Sequence, residues 1–411
     1  MSAYKIYRYG RETLWQMYQG PLGGTIDRLA AWYDEQGYSH DYAVACLKSA
    51  ARFGRWLEQS AVKLGDVDEQ LIEHYVVQCP EPLHFGTRVA LRRLLAVLRE
   101  AGACPLVVSE PPRPAQLLEQ DFRLYLAKQR GLAARTIEHY TEAARIFLAA
   151  LHERDQRDAS EWTAADVLTL VRQHAQARRP VHMQQLCTGL RAFLRYLRFC
   201  GKIQRDLASA VPRIARWRLA TLPKSLTPAQ VERVLAQCDR YSVVGRRNYA
   251  VLMLLARLGL RADEVRRLTL DDIDWRAGEL TIRGKGRAPE PMPLPSAVGQ
   301  ALAAYLAHGR PPSTSRVVFV RMVAPHAPFA KSKAITTIAS NAIEAAAIQT
   351  PCKGAHVFRH TLATRMLGNG ASLKEIGHLL RHRDEDTTRI YAKVDLTRLR
   401  ALAMPWPGGA S

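Results

Sequence analysis

Apolar residues recur at three- and four-residue intervals through the first half of the chain, and the pattern is written twice. Residues 91–102 (LRRLLAVLREAG) and 190–201 (LRAFLRYLRFCG) both place Leu at positions one, five and eight, Arg at two and nine, and Gly at the end. Such spacing lays an apolar stripe along one face of an α-helix and excludes a strand, whose side chains alternate with period two. Two more segments match in the same order. Residues 42–57 (YAVACLKSAARFGRWL) resemble 139–151 (HYTEAARIFLAAL), and 64–76 (LGDVDEQLIEHYV) resemble 161–173 (EWTAADVLTLVRQ). Three ordered matches point to a duplicated helical domain, because one pair of leucine-rich helices resembles any other but a series does not.

Two stretches read as linkers. Residues 105–114 (PLVVSEPPRP) carry prolines that no helix interior accepts, and residues 203–224 are basic and marked by proline. They divide the chain into an N-terminal helical domain (1–104), a second helical domain (115–203) and a C-terminal domain (222–411). A chain of 411 residues exceeds one ordinary core and is long enough for all three. In the third part Thr227, Pro228 and Gln230 form a helix-start signal. A helix is expected from about residue 246 to 258. Short strands follow in residues 268–295, where Leu280 and Ile282 alternate with Thr281 and Arg283, and Gly284 and Gly286 bracket a turn. Helices are expected to resume after about residue 334. The fold class is mainly α with a small antiparallel β-sheet.

Lys and Arg outnumber Asp and Glu by 59 to 38, for a formal net charge of +21. That excess favours a polyanionic partner, since each neutralised phosphate releases condensed counterions. No apolar signal core opens the sequence and no run reaches transmembrane length, so a cytoplasmic protein without membrane contact is expected. The seven cysteines are scattered, with no CxxC pair, and read as buried reduced thiols.

Six residues in the third part form an ordered set: Arg261 in GLRADEV, Lys285 in RGKGR, His356 and Arg359 in HVFRH, His382 in LLRHRD, and Tyr391 in TTRIY. Taken singly, each has an ordinary structural explanation. Taken together they supply what phosphodiester cleavage without metal needs: a nucleophile, charge on the phosphoryl oxygens, and an acid for the leaving oxygen. A phenol with its pKa near 10 is only about one-thousandth ionised at neutral pH and needs cations or a base beside it. Arginine suits the non-bridging oxygens, because its planar fork donates two parallel hydrogen bonds and stays charged. His356 and Arg359, three apart, share a helix face. His378 and His382 have zinc-like spacing, but no third ligand or HExxH motif accompanies them, and no metal site is expected.

The order GLRxxE, GKG, HxxRH, LLxH and Tyr resembles the tyrosine recombinases, the phage integrase and Xer-type enzymes, strongly over about residues 225–400. Residues 116–202 resemble that family's SAM-like core-binding domain more loosely. The resemblance implies a site-specific DNA recombinase. Tyr391 would attack a phosphate to form a 3′-phosphotyrosine and release a 5′-hydroxyl. Arg261 and Arg359 would hold the phosphoryl oxygens, and Lys285 would protonate the leaving oxygen. His356 would serve in proton transfer at the tyrosine, and His382 would hydrogen-bond the phosphate. Neither ATP nor any other cofactor is required. The implied partner is double-stranded DNA with specific recombination sites, gripped by the second helical domain and the catalytic domain. A tetramer on DNA is implied, with accessory or partner recombinases.

Arg191, Arg195 and Arg198 form a candidate phosphate-facing row, or a solvated helix face; Arg283 and Arg287 are further candidates on the hairpin. The first copy repeats only Arg92 and Arg99 of that row, so tight DNA contact by it is not expected. Glu264 reads as a tie for Arg261, and His360 as a supporting or core residue. Arg381 stands where LLGH is commoner; as an exposed residue it would add a phosphate contact or alter the approach of His382. Asn248 replaces a common Asp. Two other readings stay open: a relaxing topoisomerase or hairpin resolvase with the same tyrosine chemistry, and a DNA-binding assembly factor without activity.

Overall fold

A computed structural model describes residues 18, 20–79, 86–104, 113–152, 161–214, 224–284, 288–382 and 387–394. The chain divides into two compact units, Val107–Ala220 and a unit made of Met1–Leu106 with Thr221–Ser411.

Residues 22–104 enclose a core of their own, built by α1 (Gly23–Glu35), α2 (His40–Gln59), α3 (Glu69–Gln78) and α4 (Thr87–Glu100). The unit Val107–Ala220 repeats that order with α5 (Pro114–Leu124), α6 (Ala134–His152), α7 (Ala164–Ala177) and α8 (Pro180–Phe199). The three matched sequence segments fall on α2 and α6, α3 and α7, and α4 and α8. In each set the second and fourth helices pack together. Pro114 and Pro180 open α5 and α8 at the first helical turn, where a missing N–H costs nothing. Thr163 and Asp166 cap α7 reciprocally.

The expected second linker is half wrong. Ile203, Leu207, Ala208 and Val211 are buried in the core of the second helical set. Arg191 of α8 ties this segment down by donating to the carbonyls of Val211 and Pro212, both at 3.2 Å. Apolar residues at spacing four outweigh the basic character that suggested a linker. In the first linker, Pro114 is already helical, and residues 105–112 lie outside the described residues.

The C-terminal segment has its core among α9 (Pro228–Ala236), α10 (Val243–Leu258), α11 (Ala262–Arg267), α12 (Ser296–His308), α13 (Lys333–Ala345) and α14 (Ala355–Gly368). A three-stranded antiparallel sheet, β1 (Ile273–Asp274), β2 (Glu279–Ile282) and β3 (Glu290–Pro293), lies between α11 and α12. Leu280 pairs with Met292, and both Leu280 and Ile282 are buried while Arg283 is exposed, as the alternation demands. Helix α12 was not expected: its start is signalled only by Pro295, and Gly299 interrupts it, yet Val298, Ala301, Leu302 and Tyr305 bury one face. Helix α15 (Leu373–Leu379) and a short helical turn, Arg389–Val394, complete the described fold. All seven cysteines are free, but only Cys46, Cys104 and Cys187 are buried; Cys79, Cys238 and Cys352 are half-buried and Cys200 is exposed. Among the described residues no helix is long and apolar enough to cross a membrane.

Phe193 is fully enclosed in the second helical core, with its ring 5.1 Å from that of Phe122. Phe193→Ala should cost about 3–5 kcal/mol. Hydrogen exchange should show protection lost across residues 114–211 and retained across 22–104.

Candidate active site

Helix α10 ends on Gly259 in the left-handed conformation (φ 60°). A Cβ there would stand 2.9 Å from Leu380 and 3.0 Å from Leu362, so only glycine fits both the backbone and the space. The turn sets Arg261 at the N-terminus of α11, where Glu264, one helical turn on, grips it twice. One carboxylate oxygen accepts from the Arg261 backbone N–H and the other from its guanidinium, both at 2.8 Å. Arg261 keeps part of its side chain exposed (38%).

Helix α14 contributes His356, Arg359 and His360. Arg359 is buried, donating to the Gly259 carbonyl at 2.7 Å and to the carbonyl of Leu380. Burial, then the neighbouring Arg261, presses its pKa below the ordinary arginine range; Glu264 works the other way. A guanidinium held at such cost favours any anion that comes within reach.

Tyr391 is enclosed among Leu362, Ala363, Leu367, Ile376 and Leu380. Its hydroxyl lies 2.9 Å from Nδ1 of His360. Burial raises the phenol's pKa, while Arg359 and Arg261 pull it down. His382 lies nearly parallel to the Tyr391 ring (7°, centroids 6.4 Å apart), and its Nδ1 meets the hydroxyl of Thr388 at 2.7 Å. The described members of the expected set therefore converge: Arg261, Arg359, His382 and Tyr391 surround one another, with His356 one turn before His360 on α14. Lys285 and Arg287 lie outside the described residues.

Three residues that bear on the site were missed or misread. His360 touches the Tyr391 hydroxyl; its spacing of four from His356, on the same helix face, was the available signal. Thr388 orients His382 and has no motif that could have revealed it. Arg381 is not exposed. It is buried, adopts a left-handed backbone (φ 51°), and pairs with Glu264 at 2.8 Å. Its own carbonyl accepts from Arg261 at 3.2 Å. The left-handed turn after α15 explains why glycine suits this position, and the guanidinium folds inward because Glu264 lies there.

The expected DNA-facing arginines divide. Arg191 donates from Nη2 to two carbonyls, Arg198 pairs with Asp206 at 3.5 Å, and Arg283 with Asp272 at 2.8 Å. Arg195 is exposed. In the first helical set Arg92 pairs with Glu73 and Arg99 with Glu69. Asn248 accepts from Arg247 and takes no part in the site.

The profile of the phage integrase family matches residues 224–398. The integrase/recombinase y4rA of Sinorhizobium fredii is 39% identical over 394 residues, 95% of this chain and 96% of that protein. The chain belongs to the phage integrase family of tyrosine recombinases. Tyrosine recombinase XerD of Listeria monocytogenes is 30% identical over 69% of this recombinase and 96% of its own length. XerH, solved in a post-cleavage complex with a palindromic difH substrate, shares the fold with a TM-score of 0.56 at 16% identity, over 81% of this chain and 93% of XerH. A lambda integrase dimer bound to a core site gives 0.52 at 14% identity, over 71% and 97%. The recombinase is thus a DNA strand-transferring enzyme by family, with the fold of those structures.

Burial works against the Glu264 carboxylate, but Arg381 and the two bonds from Arg261 outweigh it and hold its pKa below the ordinary range. Its contribution to stability is therefore present above the usual carboxylate pKa and lost as pH falls through the depressed one. Arg381→Ala, which breaks a buried pair and keeps the backbone strain, should cost about 3–5 kcal/mol. Arg381→Gly should lose about 1–2 kcal/mol less, because glycine removes the left-handed penalty. Urea denaturation of the three proteins checks the order.

Proposed function

We propose that Tyr391 is the nucleophile of a site-specific recombinase, attacking a DNA phosphate to give a 3′-phosphotyrosine and a free 5′-hydroxyl. The observation that carries this reading is the Tyr391 hydroxyl on a histidine nitrogen, in a field where Arg359 and Arg261 both favour the phenolate. Three guanidiniums (Arg261, Arg359 and Arg381) surround one carboxylate, Glu264. That excess suits a phosphodiester and stabilises the extra negative charge of a pentacoordinate transition state. Arg261 and Arg359 would hold the non-bridging oxygens, His382 would donate to one of them, and Lys285 would protonate the leaving 5′ oxygen. The bond energy is conserved in the phosphotyrosine, so resealing needs no nucleotide.

Duplex DNA as substrate follows from the net charge of +21 and from the relatives. XerH was solved on difH and lambda integrase as a tetramer on a Holliday junction; a tetramer on paired sites is the corresponding assembly here. Residues 115–203, with an exposed Arg195, would form the core-binding domain, and residues 222–411 the catalytic domain. Residues 20–104 hold nine Lys and Arg against eleven Asp and Glu, and several of those arginines are already paired. This first helical domain would contribute protein contacts rather than phosphate contacts. Recombination is favoured over simple relaxation because a duplicated helical region suits assembly at defined sites.

On a suicide substrate nicked beside the cleavage site, the protein should accumulate a covalent DNA adduct in the presence of a chelator. Tyr391→Phe should abolish the adduct, and an undiminished yield would falsify the assignment. Arg261→Ala and Arg359→Ala should each slow adduct formation by about 100-fold or more.

A further inference from the structure

We propose that His360, rather than His356, takes the phenolic proton of Tyr391 as its oxygen attacks phosphorus. The inference rests on Tyr391 being the nucleophile. Nδ1 of His360 stands 2.9 Å from the Tyr391 hydroxyl, a full hydrogen bond, with the rings 5.7 Å apart and inclined at 57°. His356 sits one turn earlier on α14, its ring 6.4 Å from that of His360, and among the described residues it makes no hydrogen bond to Tyr391. Arg359, between them in sequence, points its donors at the carbonyls of Gly259 and Leu380. His382 packs against the other side of the Tyr391 environment, but its Nδ1 is taken by Thr388.

A proton acceptor must be neutral at working pH. Burial, then His356 and Arg359, lower the pKa of His360 below the ordinary histidine value. Among the described residues, the charged and titratable groups around the pair are His356 and Arg359 on α14, Arg261 at the start of α11, and His382 beyond the tyrosine. Arg359 and Arg261 are permanent cations, so a further positive charge on His360 is resisted until the DNA phosphate is in place. With the ring proton on Nε2, Nδ1 offers its lone pair to the hydroxyl. The step balances: the Tyr391 proton passes to Nδ1, the O–P bond forms, and the P–O5′ bond breaks with a proton from the acid assigned to Lys285. In resealing, the incoming 5′-hydroxyl displaces the tyrosine oxygen, which recovers its proton from His360.

The test is single-turnover cleavage of the nicked substrate by the full chain, from about pH 5 to pH 9, for His360→Asn, His360→Gln and His356→Gln. The native rate should fall as His360 becomes protonated on the acid side. His360→Asn should cleave about 100-fold more slowly at neutral pH, with DNA affinity in gel shift unchanged and the acid limb lost. His356→Gln should retain that limb. A fluorinated tyrosine with a more acidic phenol, placed at position 391, should restore much of the His360→Asn rate, which a merely structural role would not allow. If His360→Asn unfolds by circular dichroism, His360→Gln carries the same comparison. Cleavage by the His360 variants within about threefold of native, or faster because the contact only restrains Tyr391, overturns the inference. Mass spectrometry separates the two readings: an adduct mapping away from Tyr391 sinks the nucleophile assignment itself.

Discussion

The site depends on one buried carboxylate. Glu264 is nearly inaccessible, yet it stays ionised because three donors converge on it: the backbone and guanidinium of Arg261, and the guanidinium of Arg381. Without that charge, three guanidiniums in one small volume would repel each other with little water to screen them. With it, Arg261 is held in register at the head of α11 and Arg359 stays charged within the fold. The arrangement is attractive to one further anion and hostile to further cations. That is the electrostatic requirement of a site that must recruit a phosphodiester and pay most of its cost before the substrate arrives.

The same economy recurs in the backbone. Arg359 crosses between two carbonyls, one from Gly259 after α10 and one from Leu380 after α15, so a single side chain fastens two helix ends that are far apart in sequence. Both ends are left-handed turns, at Gly259 and Arg381. One is glycine, which adopts that conformation freely. The other is arginine, whose strain is offset by its ion pair with Glu264. His382 follows directly and is oriented by Thr388 from the turn that carries Tyr391. Nucleophile, phosphate ligands and helix ends are therefore one hydrogen-bonded system.

The two helical domains show how one pattern serves different surfaces. Leu91, Leu95 and Leu98 are buried in the first copy, as Leu190, Leu194 and Leu197 are in the second. What differs is the charged face. Arg92 and Arg99 are neutralised by glutamates of α3, whereas Arg195 is exposed on α8 and has no ion pair among the described residues. A conserved apolar stripe keeps the fold, and a handful of exposed charges changes what the fold attracts.

Helical periodicity, the antiparallel strands around Leu280 and the repeated segments were legible in the sequence because each is a local pattern with a fixed geometric period. The spacing of Arg261, Arg359, His382 and Tyr391 was legible too, as a family signature that no single residue carries. Helix α12 was missed for want of a strong start signal, and residues 203–211 were misread because they were grouped with the basic, proline-marked stretch that follows them. What only the tertiary structure decided was who touches whom. Arg381 turns inward to Glu264, 117 residues away, and His360 rather than His356 meets Tyr391. Sequence specifies which faces of a helix are apolar and which residues can ionise. Hydrogen bonds between distant elements depend on ångström-scale placement of whole helices, and that is set by the packing of the complete core.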